Sequence, residues 1–482
     1  MNGAAFLEAL AACVGKAHVR CDEREIAPFL ADWRGRYRGR ALAVVQPAST
    51  EEAAAVVRCC HSHGVHVVPQ GGNTGLVGGA TPLEEQAPAI VLHLGRMRHI
   101  RGLEPQDFTV TAEAGVTVQE VQEAARSAGR LFPLSLASEG SATVGGVCAT
   151  NAGGVHVLRY GTTRDLVLGL EVVLADGSVI SSLKGLRKDN TGYAWKPLFV
   201  GSEGTLGVIT AATFKLFPLP SEVVTAWMAV PDPAAAVELF SWLRETVGEG
   251  LEAFELMGRS VLALVLKHIP QARAPLPGEP PAWSVLIEFA EAGRGVQLPE
   301  RVERALAAAI ERGWVLEAVL AANEAQRQAL WALRENASEA QRYEGLSFKH
   351  DVSLPIRALP EFIAECEARL RRHWPSVTVV CFGHLGDGNL HYNVFPTGIE
   401  PAQWPLIESR LSELVHDTVA EFGGSISAEH GIGRLKADLL PRYKSEAELS
   451  LLRRLKAALD PENLFNPGKV VRGGDRPARE ET

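Results

Sequence analysis

Three stretches in the first half of this chain are dense in glycine and small residues: 70-QGGNTGLVGG-79, 140-GSATVGGVCATNAGG-154 and 201-GSEGTLGVIT-210. Backbone of this kind approaches another surface without side chains in the way, and its successive N–H groups can form an anion-binding nest. Ordinary turns would mix Asp, Asn, Ser and Pro. Three such segments in one region therefore imply backbone wrapped closely around a long, flat ligand. The first segment fits neither G-x-G-x-x-G nor the phosphate loop G-x-x-x-x-G-K-[ST]. It also has no lysine to reach a γ-phosphate, which argues against a nucleoside triphosphatase.

At 482 residues the chain is too long for one ordinary core, so two or three domains are expected. Around the glycine segments strands and helices alternate. ALAVV (41–45) is a short apolar run, and Ser49 to Glu52 opens a helix through EEAAAVVRCCHSH with a capping-box pattern. VHVVP, AIVLHL and FTVTAEAG read as strands, and LVLGLEVVLADGSVI as two strands around an Asp176-Gly177 turn. Phe217 to Pro220 reads as a linker. Beyond it VVTAWMAV, WSVLIEFA, SFKHDVSL and VTVVCFGHL are strands. They alternate with helices PAAAVELFSWLRETV, LPERVERALAAAIERG, LPEFIAECEARLRRH and LIESRLSELVHDTVAEFG. That is an α+β plan, an antiparallel sheet with helices on one face. No solenoid-type repeat is present.

In 382-FGHLGDGNLHYNV-394, a two-residue turn centred on Asp387-Gly388 would pair His384 with His391, their Cβ atoms roughly 5 Å apart. Asn393 would share that face, and Leu385, Leu390 and Tyr392 would take the other. A core histidine commonly does no more than satisfy a hydrogen bond. Two facing imidazoles beside an asparagine are also half of a zinc or manganese site, and both readings stand. In 425-SISAEHGIG-433 the pair Glu429-His430 follows a short Ser-Ile-Ser-Ala strand and could be a cap, a surface pair or a ligand.

An anionic substrate would need local cations, because the net charge is −9. Arg334 and Ser338 lie i, i+4 on one helix face, and Lys349 stands in SFKHDVSL. A surface pair of Arg334 with Glu335 or Glu339 is the competing reading.

The order PQGGNTGL, GGVCATNAGG, GSEGTLGVIT and LDPENLFNPGK (459–469) resembles the FAD-binding fold of vanillyl-alcohol-oxidase type. Within that superfamily it is similar to the D-2-hydroxyacid dehydrogenases, over about residues 40–470. The resemblance implies a two-part FAD-binding domain (1–220) and a substrate- and metal-binding domain (221–454). A segment at 455–475 would close on the FAD domain, with a disordered tail at 476–482. It implies that Gly71, Gly72, Asn73, Thr74 and Gly75 bind the FAD pyrophosphate. Gly140, Ser141, Gly145, Gly146, Asn151, Gly153 and Glu203 would line the cofactor, Ile209 would pack near it, and Asn466 would close the pocket. Asn73 stands in the neighbourhood where some members tether flavin through histidine, so FAD is expected to be non-covalent.

By the same resemblance His384, His391 and Glu429 hold a divalent metal, zinc before manganese. Arg334, Ser338, Lys349 and Asn393 contact the substrate carboxylates, and His430 contacts the substrate and takes its hydroxyl proton. Ser338 stands where the pattern carries threonine, and His350 where it carries an aromatic residue. The implied activity is oxidation of a D-2-hydroxy acid, D-2-hydroxyglutarate first, to the 2-oxo acid by hydride transfer to FAD. Electrons would pass to an acceptor such as an electron-transfer flavoprotein or a quinone. A D-lactate or glycolate dehydrogenase and a non-catalytic flavin-binding subunit are the alternatives.

The negative net charge argues against a nucleic-acid partner. Seven cysteines, an odd number without CxxC or finger spacing, imply free thiols in a reducing compartment, the cytoplasm. No secretory signal or transmembrane run is expected.

Overall fold

The structure, a computed structural model, describes residues 3–84, 88–293 and 297–472. The expected tail at 476–482 lies outside the described residues. The chain forms two compact units: Met1–Gly154, Gly161–Leu219 and Glu429–Thr482 make the first, and Val155–Tyr160 with Pro220–Ala428 the second. One boundary between the units falls between Leu219 and Pro220, within the stretch read as a linker. The stretch 429–454, which sequence reading put with the substrate domain, goes instead with the first unit.

In the first unit β1 (Val19–Arg20), β2 (Ala43–Val45), β3 (His66–Gln70) and β4 (Ala89–His93) form a sheet of order β1-β2-β4-β3. β4 runs parallel to both β2 and β3. The helix Thr50–His63 connects β2 to β3, and Ser49 caps it by accepting the Glu52 N–H. Strands β5 (Ile100–Glu104), β6 (Thr109–Glu113), β8 (Val167–Val173), β9 (Val179–Ser182) and β10 (Val208–Lys215) form an antiparallel sheet of order β5-β6-β10-β8-β9. β8 and β9 are the expected hairpin around Asp176-Gly177. The short pair β7 (Arg130–Leu131) and β11 (Phe217–Pro218) lies apart from both sheets.

The second unit is built on one antiparallel sheet of order β15-β12-β14-β13-β17-β18-β16. Its strands are β12 (Glu222–Val230), β13 (Leu251–Gly258), β14 (Trp283–Glu291), β15 (Glu317–Leu320), β16 (Asp351–Ser353), β17 (Thr378–His384) and β18 (Asn389–Phe395). The four expected helices all pack on one face, where Leu239, Phe240, Leu306, Phe362 and Val415 meet Phe254, Ile287 and Tyr392. Helices Arg259–His268, Glu324–Glu335 and Ala337–Glu344 cover part of the other face through Val265, Leu330, Trp331 and Ala340. All seven cysteines are free thiols. No helix among the described residues is long and apolar enough to cross a membrane.

Candidate active site

The glycine segments meet within the first unit. A Cβ on Gly72 would lie 1.9 Å from the Ser141 carbonyl oxygen, and one on Gly71 2.2 Å from Thr143 Oγ1. Only glycine lets these two loops touch. Gly75, by contrast, faces open space. Thr143 precedes the helix Val144–Thr150 without capping it, and its buried hydroxyl has no hydrogen-bond partner. A buried donor beside bare backbone suits an anionic ligand such as a pyrophosphate.

Among the described residues seven non-glycine residues have positive φ, and four of them, Asn73, Asn151, Glu203 and Asn466, belong to the cofactor set read from sequence. Strained backbone of this kind collects at ligand clamps. Asn73 Nδ2 donates to the Ala31 carbonyl, and Asn151 Oδ1 accepts the Arg164 N–H. Asn466 Nδ2 donates to the carbonyls of Gly79 and Glu203 and so ties the C-terminal segment to the glycine loops. Sequence reading missed Lys469, whose Nζ reaches the carbonyls of Gly79 (2.8 Å) and Thr81 (2.6 Å) and Asn466 Oδ1 (2.6 Å). Burial lowers its amine to about 7, against the pull of Glu203. Burial likewise pushes the Glu203 carboxyl up, although it accepts N–H groups from Ile432 and Gly433, both at 2.8 Å. Glu203 thus pins the segment after His430, and its carboxylate is spent there.

In the second unit the histidine hairpin keeps its face but not its register. β17 and β18 pair Phe382 with His391 and Val380 with Asn393, two residues away from the expected His384–His391 pair. Four residues, not two, make the turn: Leu385–Asp387 form a 3-10 turn and Gly388 follows at φ 81. A Cβ on Gly388 would lie 2.2 Å from the Leu354 carbonyl oxygen, so a side chain is excluded there. Because the shift is even, Leu385, Leu390 and Tyr392 still enter the core, and the rings of His384 and His391 lie 5.7 Å apart.

Each of these histidines turns Nδ1 to a buried carboxylate. His384 Nδ1 lies 2.5 Å from Glu255 Oε1, and His391 Nδ1 3.9 Å from Asp351 Oδ1. Glu255 also accepts from Arg334 Nε at 2.6 Å, and Arg334 Nη2 stands 3.5 Å from His384 Nε2. Burial alone would raise the Glu255 carboxyl. The hydrogen bonds from His384 and Arg334, with the Arg334 charge, outweigh it and hold the group below the usual carboxylate range. Asp351 accepts from Asn389 Nδ2 at 2.9 Å and from the Ala428 N–H at 3.1 Å. An imidazole held at Nδ1 by a carboxylate, as His384 is, offers Nε2 to a metal, and two imidazoles with carboxylate oxygens nearby suit zinc or manganese.

The remaining expected residues divide. Arg334 is buried, its guanidinium 4.8 Å over the Phe382 ring, whereas Ser338 and Lys349 are exposed. The continuous helix face expected for Arg334 and Ser338 is interrupted at Asn336, which ends one helix and starts the next. Asn393 is buried and donates Nδ2 to Gln341 Oε1 at 2.9 Å. His350 points into the helical layer, with Tyr392 O 2.8 Å from Nδ1 and Ser412 Oγ 3.0 Å from Nε2, so its difference from the family pattern lies away from the histidine pair. The expected Ser-Ile-Ser-Ala strand is a single bridge from Ser425 to Ser353. In the first unit His430 Nε2 lies 3.6 Å from Glu429 Oε1. Glu255, Asp351 and Gln341 escaped sequence reading. The available signal was a carboxylate inside the apolar run LEAFELMG, since buried charge needs partners.

Comparison with known proteins matches residues 41–182 to a family described as "FAD binding domain" and residues 219–470 to "FAD linked oxidases, C-terminal domain". The chain is 40% identical over 451 residues to the mitochondrial D-2-hydroxyglutarate dehydrogenase of Bos taurus, covering 93% of this chain and 80% of that one. It is 39% identical over 463 residues to the D-2-hydroxyglutarate dehydrogenase of Xanthomonas citri pv. viticola, covering 95% of each. The solved structure of p-cresol methylhydroxylase aligns with a TM-score of 0.77 over 98% of both chains at 16% identity, which speaks to the fold alone. The chain therefore belongs to the FAD-linked oxidases of vanillyl-alcohol-oxidase-type fold and, within them, to the FAD-dependent D-2-hydroxyacid dehydrogenases, which act on a CH–OH group.

Proposed function

We propose that this chain oxidises D-2-hydroxyglutarate to the 2-oxo acid, using non-covalently bound FAD and a divalent metal, zinc before manganese. The observation that carries the reading is the buried arrangement of His384, Glu255 and Arg334, in which an imidazole held for a metal adjoins a guanidinium fit for a carboxylate. The names of the two curated relatives agree with it. His384 and His391 are the imidazole ligands. Glu429, one residue beyond the Ala428 whose N–H reaches Asp351, is the carboxylate ligand. When bound, FAD supplies the hydride acceptor and the metal a positive charge against the substrate's oxygens.

The protein's own groups do the rest. Arg334 is directional and permanently charged, so it fixes a substrate carboxylate, with Lys349, Ser338 and Asn393 as further contacts. His430 takes the hydroxyl proton as C2 loses its hydride, a role worth about 10²–10⁴-fold. Gly71 to Gly75, Gly140, Ser141, Gly145, Gly146, Asn151, Gly153, Ile209 and Asn466 form the cofactor cradle. An electron-transfer flavoprotein or a quinone reoxidises the flavin, and the free thiols favour the cytoplasm.

Stopped-flow reduction of the flavin by D-2-hydroxyglutarate and D-lactate, with and without EDTA, tests this. A lost charge-assisted hydrogen bond is worth roughly 1.5–3 kcal/mol, so the diacid should be favoured by about 10- to 150-fold. EDTA should stop reduction while the bound FAD spectrum persists. Equal kcat/KM for the two acids removes the diacid assignment, and chelator-insensitive reduction removes the metal.

A further inference from the structure

We propose that Glu255 is a positioning residue that joins the two halves of this site, fixing the tautomer of His384 with one carboxylate oxygen and the orientation of Arg334 with the other. The inference rests on the metal reading given above. Glu255 has no exposure at all and stands on β13, while its two partners come from β17 and from the helix Glu324–Glu335. Its oxygens are divided one to each partner, Oε1 to His384 Nδ1 at 2.5 Å and Oε2 to Arg334 Nε at 2.6 Å.

An ionised carboxylate only accepts hydrogen bonds, so His384 must carry its proton on Nδ1. The opposite side of the ring agrees. A guanidinium has no acceptor, and Arg334 Nη2 faces His384 Nε2 at 3.5 Å, a geometry that calls for a lone pair on Nε2. Two independent neighbours thus select the one neutral tautomer that can ligate a metal through Nε2. Without a carboxylate in this place the Nδ1 proton loses its acceptor, and only the longer 3.5 Å approach of Arg334 still opposes its transfer to Nε2, where it would block the ligand.

Glutamine shows why both oxygens matter. An amide has one accepting and one donating end, so Glu255→Gln can serve His384 or Arg334 but not both. The charged guanidinium takes the oxygen. The amide N–H groups then face His384 Nδ1, which becomes an acceptor, and the ring proton moves to Nε2. The substitution preserves volume and would leave the fold in place, yet it inverts the ligand.

The test is zinc affinity, measured by chelator competition on FAD-loaded, metal-stripped wild type and Glu255→Gln. Carboxylates behind metal-bound histidines typically contribute 10–100-fold to metal affinity, and that weakening is expected here with FAD occupancy unchanged. Equal zinc affinity in the two proteins overturns the positioning role while leaving the metal site standing. A wild type that binds no zinc overturns the metal reading itself, and this inference with it. Should Glu255→Gln not fold, ¹⁵N-histidine spectra of the metal-free wild type decide the matter. The His384 resonance, assigned by its loss in His384→Gln, should show a protonated Nδ1, and a protonated Nε2 overturns the proposal.

Discussion

Lys469 offers a quantitative test of how the C-terminal segment is fastened to the glycine loops. Its amine is fully buried, and its three oxygen partners match the three N–H groups of an ammonium. Burial nevertheless lowers its pKa to about 7, against about 10.4 for lysine in an unfolded chain. Between these values the unfolded state holds a proton that the folded state lacks, so folding stability from this group rises with pH. The gain is about 1.4 kcal/mol per pH unit, or about 2.7 kcal/mol from pH 7 to pH 9. Below pH 7 the contribution is flat.

Lys469→Met removes the titration and takes the donor from the Thr81 carbonyl and Asn466 Oδ1, at about 1–3 kcal/mol each, while the Gly79 carbonyl keeps its bond from Asn466 Nδ2. The neutral amine of the wild type keeps two of those bonds. The variant should therefore release FAD at lower urea concentration than wild type at pH 9. Its deficit should shrink by about 2–3 kcal/mol at pH 7, where the wild type carries the cost of burying the charge. Urea titrations followed by flavin fluorescence at pH 6, 7, 8 and 9 read the difference between the two proteins, in which titrating groups not coupled to Lys469 cancel. A difference that stays constant from pH 7 to pH 9 would mean that the three oxygens hold the proton on Lys469, and the reasoning from burial fails.

Two further outcomes follow from the geometry. Gly72→Ala forces the new methyl into the Ser141 carbonyl, a backbone atom that cannot swing aside, so the protein should purify with its FAD content reduced at least about tenfold while metal binding by His384 and His391 persists. Normal flavin absorbance in that variant would show that the loops separate freely. His391→Ala should lose metal and nearly all activity, whereas His430→Ala should keep metal and FAD and turn over about 10²–10⁴-fold more slowly. Metal analysis by mass spectrometry on both variants decides, and the reverse pattern of metal loss would exchange the two roles.

The glycine segments were legible because their constraint is local: a residue without Cβ records a close approach wherever its partner lies. The hairpin was legible for a subtler reason. Its register was misread by two residues, since Asp387-Gly388 resembles a two-residue turn but belongs to a four-residue one. Strand side chains alternate with a period of two, so an even slip leaves every residue on its original face. His384, His391 and Asn393 therefore shared a face in either register, while the pairing itself was wrong. A slip of one would have sent the histidines into the helical core.

Glu255 was illegible for the opposite reason. Its neighbours Phe254 and Leu256 mark a buried strand, and a carboxylate between them announces a partner without naming it. The partners stand 79 and 129 residues further along the chain, and no local pattern connects them. Only the sheet order, with β13 paired to β17, brings the carboxylate beside the histidine. The same holds for Asp351, which meets His391 across the β16–β18 pairing. Residues that would touch a ligand announced themselves by type and spacing, because histidine pairs and glycine runs are rare without cause. Residues that hold those groups in place are ordinary glutamates and aspartates, and what sets them apart is burial, which the sheet confers and the sequence does not spell out. Substitutions at Glu255 and Asp351 should therefore damage metal binding as much as substitutions of the histidines' own neighbours on β17 and β18, although neither carboxylate belongs to a recognisable motif.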